Sequence, residues 1–300
     1  MEHNQKMFLR KTITEHKSLI YSIIELFDGR IASCSDDSTI KIFNRKTFKC
    51  ELTLTGHRKG VRCINQLNNS KLISGSGDSS IKIWSITDDS YTCEHTIEKA
   101  QNGLLNSLIP LTNNRMASSC TETSIKIWNS NYPYNLIIIL DSQIKKATSL
   151  YQVKNKEILI AGEYLNERIS VYNLYNYQKE TVIEGVYCCF NNLYINNNIL
   201  MIGGKNAIAI INLTNFKIEK VCKNPIFRRV GSFISYDQDN ILFGCDYGLL
   251  GLYNINSNYF GGVYQTPHEF LITSIIKIDN STIITSSFDS TIKIFNYSLN

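Results

Sequence analysis

Apolar and polar residues alternate along almost the whole chain in short runs. Each run closes on a cluster of Asn, Asp, Ser or Gly, and this period of two predicts strands joined by tight turns rather than helices. The best-formed unit is KLISGSGDSSIKIW, Lys71 to Trp84. Lys71 to Ser76 is rich in branched and small residues, Gly77-Asp78-Ser79 makes a turn, and Ser80 to Trp84 alternates before ending on a large aromatic. Near copies stand at Arg30 to Phe43 (RIASCSDDSTIKIF), Arg115 to Trp128 (RMASSCTETSIKIW) and Thr282 to Phe295 (TIITSSFDSTIKIF).

The last residue of the second strand serves as a marker for the repeat. It falls at Phe43, Trp84, Trp128, Tyr172, Ile211, Tyr253 and Phe295, at intervals of 41, 44, 44, 39, 42 and 42 residues, so the chain holds seven units of about forty residues. Upstream of each pair lies an apolar strand, such as Val61 to Leu67, joined by a turn rich in Asn and Asp that tolerates the positive φ of a tight hairpin. Downstream lies a more polar strand, such as Tyr91 to Ile97, which makes each unit a four-stranded antiparallel meander. The seventh unit ends at Asn300, too soon after Phe295 for a fourth strand, while Met7 to Ile13 has the pattern of an outer strand with no unit of its own. That segment is expected to complete the last sheet and close a ring, which removes nearly all exposed sheet edges. The expected organisation is a single all-β domain spanning residues 1–300.

These features resemble the WD-repeat β-propeller family, most strongly in repeats 1, 2, 3 and 7. The resemblance implies a seven-bladed β-propeller whose blades are pinned by a hydrogen-bonded tetrad of His, Ser or Thr, Asp and Trp. The second repeat matches it fully with His57, Ser74, Asp78 and Trp84. The first offers His16, Ser33 and Asp37 with Phe43, and the last His268, Thr285 and Asp289 with Phe295; Phe lacks the indole N–H, so one bond is absent there. Repeats 3 and 4 have Gln101 and Gln143 at the His position, and repeats 3 to 6 have Glu122, Asn166, Lys205 and Tyr247 at the Asp position, so these blades are expected to depend mainly on packing.

Bulk properties narrow the function classes. A net charge of +5, with 31 basic residues interleaved among 26 acidic ones, gives no reason to expect nucleic acid or an anionic membrane as partner. The N-terminus has no apolar leader and Leu136 to Leu140, the longest apolar run, is too short to span a bilayer. Nine scattered cysteines without C-x-x-C or His/Cys ligand spacing fit reduced thiols in the cytoplasm or nucleus, and no metal or cofactor is expected.

The recurring His, Ser and Asp invite comparison with a hydrolase triad, but a set that repeats in step with the fold is a structural device, so no catalytic residue is assigned. Gly203-Gly204-Lys205 sits in a hairpin with no helix following, which is not a phosphate loop. Phe227-Arg228-Arg229-Val230-Gly231 is similar to the paired-arginine signature of phosphoinositide-binding propellers, with Val230 interrupting it. A peripheral membrane adaptor using Arg228 and Arg229 is therefore the alternative reading. The first reading is a non-enzymatic scaffold, a monomeric propeller within a larger hetero-complex, binding proteins or peptides through loops around the channel on its narrow face. Its expected contact residues are Tyr21, Asp36, Arg62, Phe190, Asp246 and Phe288, chosen by repeat position and because aromatics and arginine anchor interfaces.

Overall fold

A computed structural model describes residues 7–153, 156–163, 167–186, 193–196 and 198–297. These form seven four-stranded antiparallel sheets arranged as the blades of a propeller. Blade 2 has its innermost strand at Val61–Asn68, followed outward by Lys71–Ser76, Ile81–Ile86 and Tyr91–Ile97. In blade 7 the strands Ile272–Lys277, Thr282–Ser287 and Ile292–Tyr297 are completed on the outside by Met7–Ile13, the segment expected to close the ring. Met7 pairs with Tyr297 and Ile13 with Ile292, so the two ends of the chain lie in one sheet.

The hydrophobic core lies between blades rather than within any one of them. Trp84 of blade 2 is buried among Ala32, Ile42 and Leu54 of blade 1, and Phe43 of blade 1 among Ile284, Ile294 and Ile13 of blade 7. The seven repeat markers, from Phe43 to Phe295, are all buried. A single blade has no second layer to cover these side chains, so blades become stable only when stacked.

The innermost strands leave backbone groups facing the channel, and serines serve them. Ser107 Oγ of blade 3 accepts from Leu150 N of blade 4 at 3.3 Å, Ser232 Oγ of blade 6 from Ile275 N of blade 7 at 3.0 Å, and Ser274 Oγ donates to Ile23 O of blade 1 at 3.1 Å. A polar residue at this point of the repeat thus ties one blade to the next around a channel cavity of about 280 Å³. Between blades 3 and 4, Arg115 Nη2 meets Glu157 Oε2 at 2.6 Å, both side chains nearly buried, and Arg115 Nη1 donates to Leu174 O at 2.7 Å.

Candidate functional site

The tetrad of blade 2 is complete. His57 Nδ1 lies 3.0 Å from Asp78 Oδ2 and His57 Nε2 lies 2.7 Å from Ser74 Oγ, while Trp84 Nε1 donates to Ser74 Oγ at 2.8 Å. With Asp78 ionised, the imidazole N–H points to the carboxylate, the serine hydroxyl donates to the other ring nitrogen, and the serine oxygen is free to accept from the indole. Asp78 also accepts from Arg58 N at 2.8 Å and Ser80 Oγ at 2.6 Å, which pins the loop entering the blade to the turn within it. Burial alone would raise the Asp78 carboxyl, but the bonds from His57, Ser80 and Arg58 N hold it well below the usual carboxylate range.

The same set recurs with His16, Ser33 and Asp37, and with His268, Thr285 and Asp289. Its atoms are connected like those of a hydrolase triad, yet Ser33, Ser74 and Thr285 are all 0% exposed, so no substrate can reach the hydroxyls. The Asp289 carboxyl, opposed by burial but bonded by His268 and Thr291, sits at about 2. Burial lowers the His268 imidazole despite its carboxylate partner.

Blades 3 and 4, expected to be held mainly by packing, also carry hydrogen-bond networks of their own. Gln101 takes the place of histidine: its Nε2 donates to Ser118 Oγ at 2.7 Å and its Oε1 accepts from Ser124 Oγ at 2.7 Å, while Trp128 Nε1 donates to Ser118 Oγ at 2.8 Å. An amide offers both a donor and an acceptor, so it spans the two hydroxyls without an aspartate, and Glu122 stays at the surface. In blade 4 the marker Tyr172 donates to Asp141 Oδ2 at 2.7 Å, with Lys179 Nζ 2.5 Å from the same oxygen. Glu163, fully buried, accepts from Ser170 Oγ at 2.5 Å and Arg168 Nε at 2.9 Å. Asp141 and Glu163 stand outside the tetrad positions, so a search confined to those positions misses them. Gln101 is detectable because its amide, like the histidine it replaces, can bond in two directions.

Of the surface candidates, four meet. The Arg62 guanidinium carbon lies 4.5 Å from the centroid of the Tyr21 ring and Arg62 Nη1 is 3.1 Å from the Tyr21 hydroxyl. That hydroxyl donates to Asp36 Oδ1 at 3.3 Å, and Phe288 sets its ring edge against Tyr21, centroids 5.6 Å apart at 82°. Desolvation raises the Tyr21 phenol, with Arg62 opposing and Asp36 adding to the rise. Tyr21, Arg62 and Phe288 are each partly exposed and come from the inner strands of blades 1 and 2 and the turn of blade 7. Tyr21 and Arg62 also line the channel cavity, so the cluster sits at its mouth.

Asp246 lies elsewhere, on blade 6, held by Arg229 through bonds of 2.8 to 3.1 Å. Arg228 is exposed and donates to the Tyr247 hydroxyl at 2.7 Å. The paired arginines therefore do not converge on one pocket: one holds a carboxylate and the other a phenol. Phe190 lies outside the described residues. No helix among the described residues is long and apolar enough to cross a membrane.

A ring of seven blades, closed by its N-terminal strand and carrying a full His-Ser-Asp-Trp clasp in blade 2 and its His-Ser/Thr-Asp part in blades 1 and 7, defines the class as a β-propeller of the tetrad-bearing kind. The family model described as WD domain, G-beta repeat matches residues 8–44, 48–85 and 262–296, which are the repeats whose tetrads keep histidine. Three of the seven repeats thus match the WD-repeat model, in a chain folded as a seven-bladed propeller, and together they support a WD-repeat propeller. Comparison of the sequence with curated proteins gives no significant match.

Proposed function

We propose that this propeller is a non-catalytic interaction scaffold, one subunit of a larger cytoplasmic or nuclear assembly, that docks a protein or peptide on its narrow face where blades 7, 1 and 2 meet. The family commonly serves as such a scaffold. The observation that carries the reading to this place is the contiguous set of Phe288, Tyr21 and Arg62, with Asp36 beside them. Two aromatic rings and a stacked guanidinium form a rigid amphipathic surface that loses little side-chain entropy on binding, the composition that dominates interface energetics. The anionic-lipid alternative gains nothing from Arg228 and Arg229, whose guanidiniums are directed to Tyr247 and Asp246. Affinity capture at native expression, with the wild type compared to the Arg62→Ala, Phe288→Ala double variant, tests the reading. A partner should be retained by the wild type and lost from a variant with an unchanged melting temperature. Identical captured sets would overturn it.

A further inference from the structure

The outer edges of the blades differ in one respect that bears on self-association. In each blade the outermost strand skips one residue as it pairs past the repeat marker, and the skipped residue projects at the perimeter. In blades 1, 2, 4 and 5 it is a glutamate: Glu51, Glu94, Glu180 and Glu219. Each is anchored, Glu51, Glu180 and Glu219 by the amides of Asn44, Asn173 and Asn212 at 2.7 to 2.8 Å, and Glu94 by Lys71 at 2.8 Å. Blade 7 has Arg10 at this point. A charge on an edge strand is the usual guard against edge-to-edge pairing.

Blades 3 and 6 lack the guard: in blade 6 the irregularity falls at Gly261-Gly262, whereas blade 3 carries an aliphatic side chain there. The outermost strand of blade 3 is Leu136–Lys145; the residue skipped at the marker is Ile137, and a second irregularity falls at Leu140. Leu136, Ile137 and Ile139 are 44%, 44% and 49% exposed, giving an apolar edge without a charge from Leu136 to Leu140. The segment reads LIIIL, which is the same in both directions. Two copies laid antiparallel about Ile138 place each Ile137 opposite Ile139 and each Leu136 opposite Leu140, and the flanking Asp141 and Lys145 fall opposite Asn135 and Asn131 rather than like charges. A two-fold antiparallel contact sets each residue opposite its mirror position, and the palindrome makes those opposed residues alike in size and apolarity.

We propose that this protein forms a homodimer by antiparallel pairing of the blade 3 edges, Leu136 to Leu140 against the same segment of a second copy, joining two blades into one continuous sheet. The contact is on the perimeter and leaves the narrow-face cluster of Tyr21, Arg62 and Phe288 open, so it stands apart from the scaffold reading. Chain-to-chain backbone bonds would satisfy the edge, and the paired isoleucines would remove apolar surface from water.

The test is sedimentation equilibrium of the full chain against Ile137→Glu. The substitution installs the residue that four other blades carry, beside Asn129, which occupies the position of Asn44, Asn173 and Asn212, so the fold should tolerate it. The wild type should be dimeric at about 10 μM and the variant monomeric with an unchanged melting temperature, the dissociation constant rising about 100-fold or more. Ile139→Lys should act in the same way and covers the case in which Ile137→Glu fails to fold. A wild type that is monomeric at about 100 μM, or folded variants that remain dimeric, would overturn the proposal.

Discussion

Arg62 and Tyr21 occupy the same point of consecutive repeats, yet they form a stacked and hydrogen-bonded pair, guanidinium carbon to ring centroid 4.5 Å and Nη1 to hydroxyl 3.1 Å. At the matching point of blade 7, Thr273 Oγ1 donates to Ile20 O at 2.9 Å, and in blade 3 Asn106 Nδ2 donates to Ala147 O at 3.1 Å, both tying blade to blade through the backbone. The first two repeats have replaced that tie with a planar cation on an aromatic face.

Arg62→Lys keeps the charge but cannot stack as a plane or hold the fork geometry. Partner binding at the narrow face should weaken by about 10-fold or more, in the range of an interface anchor, while unfolding free energy changes by less than about 1 kcal/mol. Isothermal titration with the captured partner, beside a urea denaturation curve, separates the two.

The tetrad can be tested with a substitution borrowed from the chain itself. His57→Ala leaves the buried Ser74 hydroxyl without its acceptor and Asp78 without one of its donors, and should cost about 2 to 3 kcal/mol in urea unfolding. His57→Gln should cost clearly less, because Ser74 and Ser80 stand where Ser118 and Ser124 bond Gln101 in blade 3.

Acid should loosen the ring in two stages. A lowered His268 means that the folded state resists protonation; its contribution is whole above the ordinary value of 6.5 and fades as pH falls through that value toward the folded one. The Asp289 carboxylate, moved from 3.8 to about 2, contributes fully above 3.8 and loses its contribution as pH falls from there to about 2. Asp37 and Asp78, lowered in the same direction, deepen the second stage. Melting temperature measured from pH 8 to pH 2 should fall gently below 6.5 and steeply below 4, and His268→Gln should remove the gentle stage while keeping the steep one.

Arg115 and Glu157 form a nearly buried pair between blades 3 and 4. Removing either partner strands the other, so Arg115→Met should cost about 3 kcal/mol, with Leu174 O also left without its donor. Arg115→Met with Glu157→Gln should cost less than the sum of the two single changes, a coupling that a double-mutant cycle in urea measures directly.

The architecture was legible because a repeat shows itself several times. The interval of the markers located every blade, and the lack of a fourth strand after Phe295 pointed to Met7–Ile13, which pairs there residue by residue. A tetrad is equally legible where its residue types are kept, as at His57, Ser74, Asp78 and Trp84. Where types change, position alone was not enough: Gln101 bonds as histidine does, whereas Asp141 and Glu163 build other networks from other strands. The narrow-face residues were nameable by repeat position, but only their packing distinguishes Tyr21, Arg62 and Phe288, which touch, from Asp246, which is engaged by Arg229 on blade 6.

Local sequence thus determined the number of blades, their strands and the way the ring closes, because alternation and turn chemistry act over a few residues and recur. What neighbours what around the ring was decided only in three dimensions. Contacts such as Phe288 on Tyr21 join residues at opposite ends of the chain, brought together by the closure of the circle and not by any pattern that a stretch of sequence contains.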